Sequence, residues 1–128
     1  MKKITTDQAP QAIGPYSQAI LAGGFLFLSG QIPINPATGK VDEATIEGQA
    51  AQVFSNIEAI LKAAGLTFAH VVRSEVFLKD LSHFSLVNKI YGEFFTGPLQ
   101  PARHTVQVAK LPMDALIEVT CTAYAGEK

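Results

Sequence analysis

Between Ala44 and Gly65 the chain carries Ile46, Ala50, Val53, Ile57, Ile60 and Ala64, apolar residues recurring at steps of 4, 3, 4, 3 and 4. That spacing lines them up on one side of an α-helix. Gly65 supplies the left-handed backbone on which such a helix ends. A helix with a single apolar stripe must be covered by another layer, and the chain supplies β-type runs on both sides of it. Ser17 to Ala22 and Phe25 to Ser29 flank Gly23-Gly24, a pair that provides the positive φ angles of a tight hairpin turn. Phe25-Leu26-Phe27-Leu28 is apolar without alternation, the pattern of a strand covered on both faces. Val71 to Lys79 is rich in β-branched and aromatic residues and reads as a third strand. Asp80 or Ser82 then caps a second helix, which carries Phe84, Val87, Tyr91 and Phe94 on one side and stops at Thr96-Gly97-Pro98. Two further strands, Arg103 to Val108 and Leu116 to Tyr124, are parted by the break Lys110-Leu111-Pro112-Met113-Asp114. The order strand, strand, helix, strand, helix, strand, strand predicts an α+β fold, a mixed β-sheet with two helices packed on one face.

At 128 residues a single domain spanning 1–128 is expected. A hydrophobic fraction of 48%, a charged fraction of 16% and a mean hydropathy of +0.21 are apolar for a chain this small. Part of its apolar surface is therefore expected to be covered by a second copy, in a homo-oligomer. Ten Lys and Arg against 11 Asp and Glu leave a formal charge of -1, and the basic residues form no stripe, which argues against a nucleic-acid partner. The single cysteine, Cys121, cannot form an intrachain disulfide and falls in the alternation Ile117, Val119, Cys121, Ala123, as a core thiol in a reducing compartment would. Met1 to Asp7 lacks the apolar segment of a signal peptide, and no run approaches the ~18 apolar residues of a membrane span. The expected location is the cytoplasm, away from membranes.

The chemistry narrows by elimination. Asn35-Pro36-Ala37-Thr38-Gly39-Lys40 is not a phosphate-binding loop, because Ile34 stands where the first glycine belongs and Val41 where Ser or Thr must bind magnesium. His70, His83 and His104 share no ligand spacing, so no metal is expected. There is no Gly-x-Ser-x-Gly elbow and no dinucleotide fingerprint. What remains is a cofactor-free set of guanidinium, carboxylate, phenol and backbone groups. Arg103 heads a strand with Thr105, Gln107 and Ala109 on its face, opposite the more apolar His104, Val106 and Val108. An arginine on a sheet surface answers either to an ion pair or to an anionic ligand. Glu118 projects from the strand face opposite Ile117 and Val119. Tyr16 follows the Pro/Gly-rich loop Pro10 to Pro15, from which its phenol either reaches a pocket or packs on the sheet. Gly30, after Ser29, either admits a ligand close to the backbone or bends the strand as a bulge. Asn88 lies one residue from the second helix's apolar stripe, at its edge.

Six segments together resemble one family: Ile13-Gly14-Pro15-Tyr16-Ser17-Gln18-Ala19, Ser29-Gly30-Gln31-Ile32-Pro33, Val76 to Leu81, Asn88 to Phe95, Pro101-Ala102-Arg103 and Ile117-Glu118-Val119. They are similar to the reactive intermediate deaminases, also called RidA or YjgF, over almost the whole chain. The resemblance implies a chorismate-mutase-like α+β fold assembled as a homotrimer, its sheets packed around the axis and its three clefts lying between subunits. It implies a 2-iminobutanoate/2-iminopropanoate deaminase that hydrolyses reactive enamines and imines to 2-oxo acids and ammonium without a cofactor. On that pattern Arg103 would clamp the substrate carboxylate, Glu118 would handle the attacking water, and Tyr16 would orient water or ligand. Gly30 backbone would hold the other end of the ligand, with Ser29, Asn88 and Thr105 lining or supporting the cleft. Many close members carry cysteine at the position of Thr105, so thiol chemistry is not carried over. Two other functions remain open: a regulatory module that binds small carboxylates without turnover, and the ribonuclease or translation-inhibitor activity of some relatives.

Overall fold

The paired glycines turn the chain as their backbone freedom allows. In the computed structural model, which describes residues 1–126, Gly23 (φ 59°) and Gly24 (φ 83°) join β2 (Ala19–Ala22) to β3 (Phe25–Leu28). A short strand ahead of them, β1 (Lys2–Ile4), pairs antiparallel with β2; three residues that include two lysines carry no β-pattern of their own. Helix α1 (Ile46–Ala63) opens with the Thr45 hydroxyl accepting from the Gly48 N–H, and Gly65 follows it at φ 76°. Then come β4 (Val71–Leu78), α2 (Phe84–Phe94), β5 (Ala102–Gln107) and β6 (Ile117–Tyr124). Asp80 does cap, but it caps a 3₁₀ turn, Leu81–His83, that precedes α2; the N-cap position of α2, His83, makes no side-chain cap.

The six strands form one mixed sheet in the order β1-β2-β3-β6-β4-β5. The β4 to β5 pair is parallel, because α2 crosses between them, and every other pair is antiparallel. Leu26, Leu28, Val76, Leu78, Ile117, Val119, Cys121 and Ala123 point from the sheet into a core completed by Val53, Phe54, Ile57, Ile60 and Leu61 of α1 and by Val87 and Tyr91 of α2. Phe54 is the hub of an aromatic cluster, edge-on to Tyr91 at 5.7 Å and to Phe95 at 6.1 Å. Burial raises the Cys121 thiol to about 12, which makes it a poor nucleophile, as its place in the alternation predicts.

Among the described residues the opposite face of the sheet carries no helix. Phe25 and Phe27 remain 37% and 49% exposed there, so only one face of β3 is covered within the chain. The same holds for Val106, 40% exposed. The face of β5 that looks apolar in sequence is thus the uncovered one, and the face that carries Arg103 and Thr105 turns toward the helix layer. Register decides this, because Arg103 is level with the fully buried Ser74 of β4. Among the described residues no helix is long and apolar enough to cross a membrane.

Candidate functional site

Arg103 leaves β5 beside α2, at a cleft of about 460 Å³ lined also by Asn88, Tyr91, Gly92, Gln100 and Pro101. One guanidinium nitrogen, Nη1, donates to Asn88 Oδ1 at 2.8 Å. The guanidinium carbon sits 4.7 Å from the centroid of the Tyr91 ring and 5.5 Å from that of Phe84. Among the described residues no carboxylate lies within ion-pair distance of Arg103. Arg73 makes the contrast: its Nη2 lies 3.5 Å from Glu75 Oε1 and 3.0 Å from His104 Nδ1 on the uncovered face. The ordinary ion pair is thus found at Arg73, whereas the described residues place no counter-charge beside Arg103.

Glu118 belongs to a second cleft, of about 180 Å³, lined also by Tyr16, Gly30, Gln31, Ile32 and Pro112. Gln31 and Val119 exchange backbone hydrogen bonds of 2.8 and 3.0 Å, which draw the segment after β3 across the start of β6. The backbone of Gly30 is held so close that a Cβ there would meet Glu118 Oε2, so a close approach and not a bulge accounts for this glycine. Ser29 Oγ donates to the Ser17 carbonyl at 2.5 Å, tying this segment to the loop that carries Tyr16. Tyr16 itself is 55% exposed at the rim. The Glu118 carboxylate has no hydrogen-bond or ion-pair partner among the described residues, and its burial raises its pKa.

The two clefts lie on opposite sides of the sheet. Arg103 is in register with Ser74, on the helix side, and Glu118 with Phe77, three residues further along β4 and on the other side. Asn88 joins Arg103, Thr105 shares its face, and Tyr16 and Gly30 join Glu118. Tyr91, Ser74 and Gln31 are the site residues that periodicity misses. Tyr91 hides in the apolar stripe, and only its i, i+3 spacing from Asn88 hints that both border one cleft.

A family model, Endoribonuclease L-PSP, matches residues 6–125. Over 120 residues the chain is 47% identical to Reactive Intermediate Deaminase A, chloroplastic, of Arabidopsis thaliana, a match covering 94% of this chain and 64% of that protein. The chain belongs to the RidA/YjgF family. A RutC family protein of Pyrococcus horikoshii is 50% identical over 121 residues, covering 94% of this chain and 95% of that one. The crystal structure of E. coli TdcF with bound serine superposes with a TM-score of 0.94 at 40% identity, over 98% of this chain and 100% of that one. The α+β architecture is thus the RidA fold, and the family supports a RidA-type function.

Proposed function

We propose that this RidA-family chain hydrolyses reactive enamines and imines of small 2-oxo acids, 2-iminopropanoate and 2-iminobutanoate, to the 2-oxo acid and ammonium. In this reading it works as a homotrimer whose clefts each combine the Arg103 side of one copy with the Glu118 side of the next. The observation that carries it is the pair of opposite charges, one on each side of the sheet, neither with a counter-charge among the described residues. A cleft between two copies of the chain would let one small substrate touch both. The aromatic uncovered face, with Phe25 and Tyr124 rings 5.0 Å apart, offers apolar surface for such packing.

Within the cleft, Arg103 binds the substrate carboxylate through parallel charge-assisted hydrogen bonds and so fixes the imine carbon. Glu118 stabilises the protonated iminium and takes a proton from water as its oxygen bonds to that carbon. The proton passes to nitrogen, the C–N bond breaks with its electron pair leaving on ammonia, and the remaining hydroxyl gives its proton to that ammonia, which leaves the 2-oxo acid and ammonium. Burial raises the Glu118 pKa, which makes its carboxylate a stronger base. Tyr16 orients water or ligand from the rim, the Gly30 backbone borders the carboxylate, and Ser29 and Thr105 support the two walls. Asn88 acts through Arg103, by holding one of its nitrogens.

A semicarbazide trap tests this directly: with 2-iminopropanoate generated in situ, the trapped imine should decline faster with the protein than in buffer. The bound serine of TdcF favours one competitor, a carboxylate-binding module without turnover. That reading prevails if 2-oxobutanoate binds while the imine decays at the buffer rate. Gly30→Ala supplies a local check, since its methyl group forces the Glu118 carboxylate aside. The expected result is roughly a tenfold loss of kcat, the cost of a misplaced catalytic group, with an unchanged circular dichroism spectrum.

A further inference from the structure

We infer that Tyr91 is a positioning residue, the pedestal on which the Arg103 guanidinium is held flat and uncompensated; the inference rests on the carboxylate-clamp reading of Arg103. The guanidinium carbon lies 4.7 Å from the Tyr91 ring centroid. Phe95 stacks on the same ring at 4.1 Å and 13°, which occupies one of its faces and leaves the other to the guanidinium. Phe54 meets the ring edge-on at 5.7 Å, and the phenol shares a buried 2.6 Å hydrogen bond with Ser74, itself fully buried on β4. The ring is therefore fixed on three sides before it meets Arg103. Ser74 is also the residue in register with Arg103, so a single strand-to-helix tie sets both the backbone and the platform of the arginine.

The chemistry of this support differs from an ion pair in a way that matters for binding an anion. A carboxylate would hold the guanidinium but neutralise it. A ring face and the neutral amide oxygen of Asn88 hold it and leave its full charge for the ligand. The platform also keeps the fork of N–H donors in one plane, which two parallel bonds to a carboxylate require. Tyr91 thus affects recognition of charge and plane through the guanidinium that it supports.

The test compares binding of 2-oxobutanoate with that of its uncharged carboxamide, by calorimetry, on the full chain. Tyr91→Leu, which keeps an apolar side chain but removes the ring face, should weaken 2-oxobutanoate roughly tenfold and leave the carboxamide within about twofold. Tyr91→Phe, which keeps the ring and loses only the hydroxyl, should restore the preference for the carboxylate. Equal weakening of both ligands by Tyr91→Leu, or a Phe variant as impaired as the Leu variant, would show a merely structural residue and overturn the inference. Arg103→Ala separates the two levels of the argument. If it abolishes the preference while Tyr91→Leu retains it, the pedestal alone is wrong; if it retains the preference, the clamp fails and the pedestal with it.

Discussion

Arg103→Ala is expected to lower kcat/KM for 2-iminopropanoate by about 10²–10³-fold, the usual loss when one partner of a desolvated, hydrogen-bonded charge pair is truncated. The fold should survive it. Arg103 is only half-buried and, among the described residues, its side chain hydrogen-bonds to Asn88 alone, so its removal strips the surface of the ring platform and opens no cavity in the core. Lysine in its place should recover little, because an ammonium has neither the planar fork nor the face that stacks on Tyr91. The measurement is a steady-state trap assay on both variants beside thermal melts. Wild-type kcat/KM in Arg103→Ala would sink the deaminase mechanism as written.

Glu118→Gln is expected to reduce kcat by about 10²-fold or more, the contribution of a positioned general base, with a much smaller change in the binding of 2-oxobutanoate. Its pH behaviour follows from burial. The pKa of Glu118 in the folded protein is raised, so the acid limb of the wild-type rate profile should lie higher than an exposed glutamate would place it, with activity falling as pH drops through it. The glutamine variant should lose that limb. Stability runs the other way. A raised folded pKa contributes stability below the unfolded value that is lost as pH rises through the folded one, so ionised Glu118 costs stability near neutrality. Glu118→Gln should therefore resist urea better than wild type at pH 7, and the advantage should fade by about pH 4. A variant that is less stable at pH 7 would mean that the carboxylate has a partner which balances its burial.

Much of this was legible in the residues. The 4, 3, 4, 3, 4 spacing runs through the helix found at Ile46–Ala63, and Gly23-Gly24 locates the turn of the β2–β3 hairpin. Both signals are local, because a helix stripe or a turn needs only its own neighbours to be recognised. The strand β1 was not legible, since Lys2-Lys3-Ile4 takes β-structure only from its pairing with β2. Asn88 was legible as the edge of a stripe, but its bond to Arg103 depends on how α2 lies over β5, fifteen residues further on.

The faces of the strands mark the division most clearly. Alternation alone determined that Arg103 and Thr105 share one side of a strand and that Glu118 lies opposite Ile117 and Val119. It could not determine which side the helices cover, because a period of two fixes relative orientation and not the direction of the core. Only the tertiary structure decided that, through the register of Ser74 with Arg103 and of Phe77 with Glu118. Sheet order turned two polar faces that look alike in sequence into opposite sides of one molecule, and left the guanidinium and the carboxylate each facing away from the other.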